Sequence, residues 1–370
     1  MKVLNVVGAR PNFMKVAPVQ RALEHTGEFD SRIVHTGQHF DERMSDVFFR
    51  QLQMPEPYIH LGVGGGSHAQ QTARIMTAFE EVLLREKPGL VVVVGDVNST
   101  LACSLVAAKC LIPVAHVEAG LRSGDRTMPE EINRIVTDTI SDLLFVTEES
   151  GVLNLRNEGV DERKIHLVGN VMIDSLVRIR ELTHGNPVLE ELGLRPGEYV
   201  LMTMHRPSNV DAQDGLRPLV ETLERICENR TLVFPVHPRT RQRIQEFGLN
   251  SRLQGLENLL VLDPLGYVEF LTLMQSAAVV VTDSGGIQEE TTFLGVPCIT
   301  LRNNTERPVT IELGTNELMA LDPASVAARV ERRVAEPRSG RRIPPLWDGR
   351  ASERIATILQ QLQKQGLKAA

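Results

Sequence analysis

The sequence predicts an α/β protein built from two Rossmann-like domains, each a parallel sheet covered by helices. Three observations lead there. Short apolar runs that end in Gly, Pro or polar clusters alternate with longer stretches of helical periodicity, and strand alternating with helix builds a parallel, doubly wound sheet. The alternation halts near residue 170 and restarts near residue 198. At 370 residues the chain is also long for one core and comfortable for two.

The first set of strand-like runs is VLNVVG, SRIVHTG, LVVVVGD, PVAHVE, LLFVT and IHLVG. Between them, HAQQTARIMTAFEEVLLREK and STLACSLVAAKC return apolar residues every three or four positions, as a helix with one buried face does. The glycine-rich GVGGGS at 62–67 reads as a mobile loop near a ligand. ELTHGNPVLEELGLRPGEY, rich in Gly, Pro and charge, supplies the inter-domain link, so the domains are expected at 1–170 and 171–351. The second set of strands is YVLMTMH, TLVFPVH, LLVLD, AAVVVTD, VPCITL and ELMAL. After RIPPLWDGR, the amphipathic ASERIATILQQLQKQGL is expected to form a helix within 352–370 that folds back on the first domain.

Composition excludes several functions. With 42% hydrophobic and 24% charged residues, a net charge of -7 and a pI near 5.9, the chain is of ordinary globular make-up and lacks the basic balance of a nucleic-acid binder. Cys103, Cys110, Cys227 and Cys298 form no CxxC pair and no Cys/His zinc spacing, which points to free thiols in a reducing cytosol. No run approaches the ~18 apolar residues of a membrane span, and the first apolar stretch is too short for a signal peptide. A cytoplasmic protein without a membrane partner is expected.

In open parallel sheets, ligands bind beyond the carboxyl ends of the strands, so polar residues that follow apolar runs are the candidates. Asp96 follows VVVVG, where Asp96, Asn98 or Ser99 could instead cap the helix that begins there. Glu118 follows PVAHV; Glu is a poor cap and no helix follows at once, which favours chemistry. MPEEINRIVTDTI opens a helix with Pro129 at its first position and acids in its first turn, and Arg134 stands four residues from Glu130. That placement alone accounts for Glu130 or Glu131 structurally, with Arg134 pairing with Glu130.

The second half repeats the placement with other groups. His205 and Arg206 follow one strand and His237 the next, at equivalent positions. In AVVVTDSGGIQEETTFLG a buried strand ends at Thr282 and Asp283, and Ser284, Gly285 and Gly286 turn the chain into a helix whose free N–H groups suit a phosphate. No GxGxxG or GxxxxGK[ST] is present, so neither a dinucleotide fingerprint nor a P-loop is expected. Glu290, one helical turn past Gly286, either reaches a ribose diol or lies on a solvated face. Arg10 and Lys15, around the start of the first helix, are either surface charges or a clamp for a diphosphate held across a cleft.

The ordered set GARPNFMK, HTGQHFD, GDVNST, HVEAGLRSGDRTMPEEINR, GNVMID, HRPSN, HP and DSGGIQEE, from residue 8 to about 308, resembles the non-hydrolysing UDP-N-acetylglucosamine 2-epimerases. The resemblance implies the GT-B fold, with two domains facing a central cleft. It also implies reversible conversion of UDP-GlcNAc to UDP-ManNAc through elimination of UDP, 2-acetamidoglucal and re-addition. By the same resemblance Asp96, Glu118 and Glu130 are the catalytic carboxylates, with His205 a further candidate and Glu131 a weaker one. Arg10, His237, Ser284, Gly285 and Gly286 hold the diphosphate, Glu290 the ribose, Lys15 and Arg134 add contacts, and Phe270 lies near the uracil. No cofactor and no metal is implied, and a homodimer is. One departure concerns Gln38, His39, Phe40, Asp41 and Glu42, where many bacterial members begin a second UDP-GlcNAc site with Gln-His-Arg. Two acids there repel a diphosphate, so activation by substrate is expected to be weak or absent. A hydrolysing epimerase, a GT-B glycosyltransferase and a silent sugar-nucleotide binder remain as alternatives.

Overall fold

The computed structural model describes residues 1–38, 54–336 and 342–366, so His39 to Glu42, part of the expected departure in the allosteric stretch, lie outside the described residues. The chain divides into two compact units, Met1–Arg178 with Pro345–Ala370, and Ile179–Pro344.

Unit 1 holds a seven-stranded sheet: β1 (Lys2–Val7), β2 (Asp30–His35), β3 (Ile59–His60), β4 (Leu90–Val94), β5 (Val114–Ala119), β6 (Leu143–Val146) and β7 (Ile165–Leu167), in the order β3-β2-β1-β4-β5-β6-β7. Unit 2 holds β8 (Tyr199–Thr203), β9 (Thr231–Pro235), β10 (Leu259–Leu262), β11 (Val279–Thr282), β12 (Cys298–Leu301) and β13 (Asn316–Met319), in the order β10-β9-β8-β11-β12-β13. Every pairing is parallel. These are two Rossmann-like sheets of the GT-B class, and both begin with the same strand order. In each, the direction of winding reverses between two central strands, β1 and β4 or β8 and β11, which is where loops part beyond the strand ends and ligands settle. Helices on both faces explain why LVVVV of β4 is buried at every position. All the strand-like runs of the sequence become strands; β3, two residues long and with no apolar run to mark it, was not foreseen.

The helices of eight residues or more are α1 (Arg10–Thr26), α2 (His68–Glu86), α3 (Asn98–Lys109), α4 (Pro129–Ile140), α5 (Glu149–Asn157), α6 (Val171–Arg180), α7 (Gln213–Cys227), α8 (Pro238–Glu246), α9 (Tyr267–Ser276), α10 (Gly285–Leu294), α11 (Pro323–Ala335) and α12 (Ala351–Lys364) among the described residues. Their apolar spacing does the packing: in α7, Leu216, Leu219, Val220, Leu223 and Ile226 fall on one face and are buried. The GVGGGS segment leads into α2 through a capping box, in which Ser67 accepts from the Gln70 N–H, while Val63 donates to Thr36 O at 2.8 Å. The four cysteines are free; Cys103, Cys227 and Cys298 are buried, and burial pushes the Cys227 thiol up to about 12. No helix among the described residues is long and apolar enough to cross a membrane.

α12 packs on α1, within unit 1. Trp347, just before it, is fully buried and donates from Nε1 to Thr147 O at 3.2 Å. The helix has no side-chain cap of its own. Asp174 of α6 supplies one, accepting from the N–H groups of Ala351 at 3.1 Å and Ser352 at 2.7 Å. Asp174→Ala is expected to cost about 0.5–2 kcal/mol, the usual range for losing an N-terminal cap, read as a lower urea midpoint with unchanged slope.

Candidate active site

At the switch point of unit 1 the β1–α1 turn is fixed by one side chain. Asn12 Oδ1 accepts from the N–H groups of Gly8 at 3.1 Å and Ala9 at 3.0 Å, while its Nδ2 donates to Val94 O at 3.2 Å. Two neighbouring strand ends are thereby tied together. Gly8 must lack a side chain, because a Cβ there would stand 2.1 Å from Ser99 Oγ. Arg10 is the first residue of α1. Lys15, on the second turn, is buried and forms an ion pair with Glu118.

Glu118 is one of four non-glycine residues with positive φ among the described residues. It is buried, its φ is +75°, and the β5–β6 register shifts between Val117 and Ala119. A bulged, left-handed Glu inside a strand costs about 1–3 kcal/mol and persists only where its surroundings impose it. The bulge brings its carboxylate beside Gly95 and Lys15, since a Cβ on Gly95 would lie 3.9 Å from Glu118 Oε2 and 3.0 Å from Lys15 Nζ.

Asp96 follows Gly95, just ahead of α3. At that helix start Gln38 Oε1 accepts the Ser99 N–H at 3.0 Å. Asp96 Oδ2 accepts from Arg134 Nε at 3.1 Å and Nη2 at 3.0 Å. The expected Glu130–Arg134 pair is corrected: Arg134 is buried and pairs with Glu131, at i,i+3, as well as with Asp96. Buried Glu131 accepts from the N–H groups of Ser123 and Gly124 at 3.0 and 2.9 Å, and so folds the loop before α4. Glu130 is exposed on the first turn of that helix.

In unit 2, His205 follows β8 and His237 follows β9, and their rings are 6.0 Å apart at 40°. Both histidines are exposed, and His237 also caps α8, accepting from the Arg239 N–H at 3.3 Å. His205 Nδ1 faces Asp283 Oδ1 at 2.9 Å. Fully buried Asp283 further accepts from the N–H groups of His205 at 3.1 Å and Arg206 at 2.8 Å, and from Asn209 Nδ2 at 3.1 Å. Burial alone would raise this carboxyl, but His205 and the surrounding donors outweigh it and hold the group below the usual carboxylate range.

Asp283 passes directly into Ser284, Gly285 and Gly286. Ser284 donates its N–H to Thr282 Oγ1 at 3.0 Å and provides no side-chain cap to α10. The first-turn amides of that helix thus have no intrahelical partner, the usual arrangement for holding an anion. Gly285 is small for a second reason: a Cβ would stand 2.9 Å from both Arg307 Nη1 and Glu306 Oε1. Further along, the solvated-face reading of Glu290 fails. It is buried, Tyr267 donates to its Oε1 at 2.6 Å, and burial, with the Glu289 charge adding, raises its carboxyl to about 7 against the pull of the Tyr267 bond. Phe270, on the next turn of α9 from Tyr267, is half-buried.

The sequence left Asp283, Tyr267 and Asn12 unassigned and gave Gln38 a place only in the departing stretch at 38–42. Asp283 carried a usable signal, an acid between a buried strand and a glycine turn. The other three act on partners distant in sequence or on backbone, and no local pattern marks them.

A family model described as UDP-N-acetylglucosamine 2-epimerase matches residues 21–360. The chain is 43% identical over 364 residues to a UDP-N-acetylglucosamine 2-epimerase of Methanocaldococcus jannaschii, covering 97% of this chain and 99% of that one. It is 42% identical over 368 residues to a UDP-2,3-diacetamido-2,3-dideoxy-D-glucuronate 2-epimerase of Pseudomonas aeruginosa, covering 98% and 100%. Among solved structures, the Methanocaldococcus jannaschii UDP-GlcNAc 2-epimerase in complex with UDP-GlcNAc and UDP aligns with a TM-score of 0.91 at 43% identity, over 98% of this chain and 100% of that chain.

Proposed function

The chain belongs to the UDP-N-acetylglucosamine 2-epimerase family, and on that premise we propose that it interconverts UDP-GlcNAc and UDP-ManNAc without releasing free sugar. The observation that carries the reading is the strained, buried Glu118 beside Lys15, one strand away from Asp96. Backbone strain of that kind is kept where a side chain must be aimed.

In the proposed reaction, a carboxylate takes the C2 proton as the C1–oxygen bond breaks. The C–H electron pair becomes the C1–C2 double bond of 2-acetamidoglucal, and the bond to the diphosphate leaves with UDP. Return of a proton to the opposite face of C2, with re-addition of UDP at C1, gives the epimer. The acid and base come from Asp96, Glu118 and Glu130. In the same proposal His205 is a further candidate for the proton transfer, Arg10, Lys15, His237 and the Ser284–Gly286 turn bind the leaving diphosphate, Glu290 takes the ribose hydroxyls, and Phe270 borders the base.

Proton NMR with UDP-GlcNAc in deuterated water tests this. UDP-ManNAc should appear with deuterium at C2 and free sugar near zero. Accumulating UDP and free ManNAc would instead mean hydrolysis, and binding without exchange would mean a silent binder. The Pseudomonas relative favours a second substrate at nearly equal identity, so UDP-2,3-diacetamido-2,3-dideoxy-D-glucuronate belongs in the same assay; exchange with it alone would move the specificity there.

A further inference from the structure

Behind Asp96 and Glu118 lies a second pair of ionisable side chains that the reaction above does not use. His116 of β5 and Asp138 of α4 are both buried. His116 Nδ1 faces Asp138 Oδ1 at 2.6 Å, and its Nε2 faces the carbonyl oxygen of Gly95 at 2.8 Å. Asp138 Oδ2 accepts from the Gly120 N–H at 3.0 Å and from Arg122 Nη1 at 2.7 Å. Arg122 in turn holds Glu158 through Nε at 2.8 Å and Nη2 at 2.7 Å.

The places where these bonds end are informative. Gly95 directly precedes Asp96. Gly120 lies two residues beyond Glu118, and His116 two residues before it, so Asp138 grips both flanks of the bulge. Gly95, at φ +67°, Glu118, at φ +75°, and Gly120, at φ +79°, are left-handed residues at adjoining strand ends, and Gly95 also donates its N–H to Val117 O at 3.1 Å. The buried carboxylate of Asp138 therefore holds Gly120 directly and the Gly95 turn through His116.

A buried pair of this sort does little for stability by itself, since well-packed apolar residues in its place are often as stabilising or more so. A left-handed Glu, by contrast, needs surroundings that hold it. We propose that His116 and Asp138 are positioning residues, a linked pair that sets the backbone of Gly95 and of the Glu118 bulge and so fixes the spacing of the Asp96 and Glu118 carboxylates. The proposal rests on the epimerase reading. The charge of Asp138 fits it: burial would raise its carboxyl, but His116 and Arg122 prevail and hold it below the usual range.

The test compares the unmodified protein with Asp138→Asn and His116→Asn, measuring epimerisation of UDP-GlcNAc, affinity for UDP and thermal midpoint. Asp138→Asn puts an amide donor among three donors and must lose at least one bond. His116→Asn retains a nitrogen near the Nδ1 position but cannot reach Gly95, and it serves if the first variant does not fold. The expected result is a kcat lower by about 10²-fold, the scale of a 1 Å misplacement, with KM and UDP affinity within about threefold of the unmodified protein. A merely structural pair would lower the thermal midpoint and leave kcat of the folded fraction intact, and that outcome overturns the proposal. A KM that rises as steeply as kcat falls overturns it too. Failure of the unmodified protein to epimerise overturns the functional reading and this proposal with it, whereas normal turnover in folded variants overturns this proposal alone.

Discussion

Glu118→Gln is expected to lower kcat for UDP-GlcNAc by about 10²- to 10⁴-fold, the range that a positioned proton-transfer group supplies. Glutamine matches the shape of the side chain and leaves the bulged backbone at φ +75° in place. What it removes is the charge facing Lys15 and any capacity to accept a proton. Buried Lys15 then loses its ion-pair partner, so part of the effect reads as a lower denaturation midpoint. UDP affinity separates the roles. If Glu118 transfers a proton, affinity stays within a few-fold while deuterium uptake at C2 stops. If affinity falls in step with kcat, Glu118 holds ligand instead and the proton transfer belongs to Asp96 or Glu130.

Glu290→Gln should weaken nucleotide binding and strengthen the fold at the same time. In its proposed role as acceptor for the ribose hydroxyls, the carboxylate would contribute about 1.5–3 kcal/mol, so UDP affinity at pH 8 is expected to drop about 10- to 100-fold. The stability effect runs the other way. The carboxyl lies at about 7 in the folded protein against 4.5 as a free side chain. Below about pH 4.5 it is protonated in both states and costs nothing. As pH rises through the window from 4.5 to about 7, the unfolded chain gives up the proton while the folded one retains it, so stability is lost progressively. The 2.5 units between those values, at about 1.4 kcal/mol each, set a ceiling of about 3.5 kcal/mol. Urea midpoints at pH 5 and pH 8 should therefore diverge less in Glu290→Gln than in the unmodified protein. Equal divergence in both would show that Glu290 is not the group responsible. If Glu290 takes the ribose diol as proposed, UDP affinity is also expected to fall as pH drops below about 7, since the neutral carboxyl accepts less strongly from the diol.

Much of this architecture was legible because its strands lie under helices on both faces. Such strands must be apolar throughout, and LVVVV, LLFV or TLVFP could hardly be anything else. β3 lay beyond reach, being two residues that pair only because β2 offers an edge. The rule that polar residues after buried strands face ligand singled out Asp96, Glu118, His205, His237 and the Ser284–Gly286 turn, and each of them does lie at or just past the end of a strand. The reading erred where two adjacent acids on a helix start compete. Glu130 and Glu131 are equal in sequence, and only the fold of residues 121–128 decides which one turns inward to Arg134. Asp138 and Tyr267 were invisible for the opposite reason. Each sits within an ordinary helical pattern and acquires its meaning from a partner more than twenty residues away, His116 for one and Glu290 for the other.

The capping of α12 by Asp174 also bears on the order of events at the ribosome. Unit 1 is assembled from the two ends of the chain, with the whole of unit 2 translated in between. Contacts of such long sequence separation form late, because a long loop must close before they can form. The face of α1 on which α12 packs therefore stays uncovered until α12 has been translated, after all of Ile179–Pro344. That interval is when the protein is most open to chaperone capture or to mispairing with a neighbouring nascent chain.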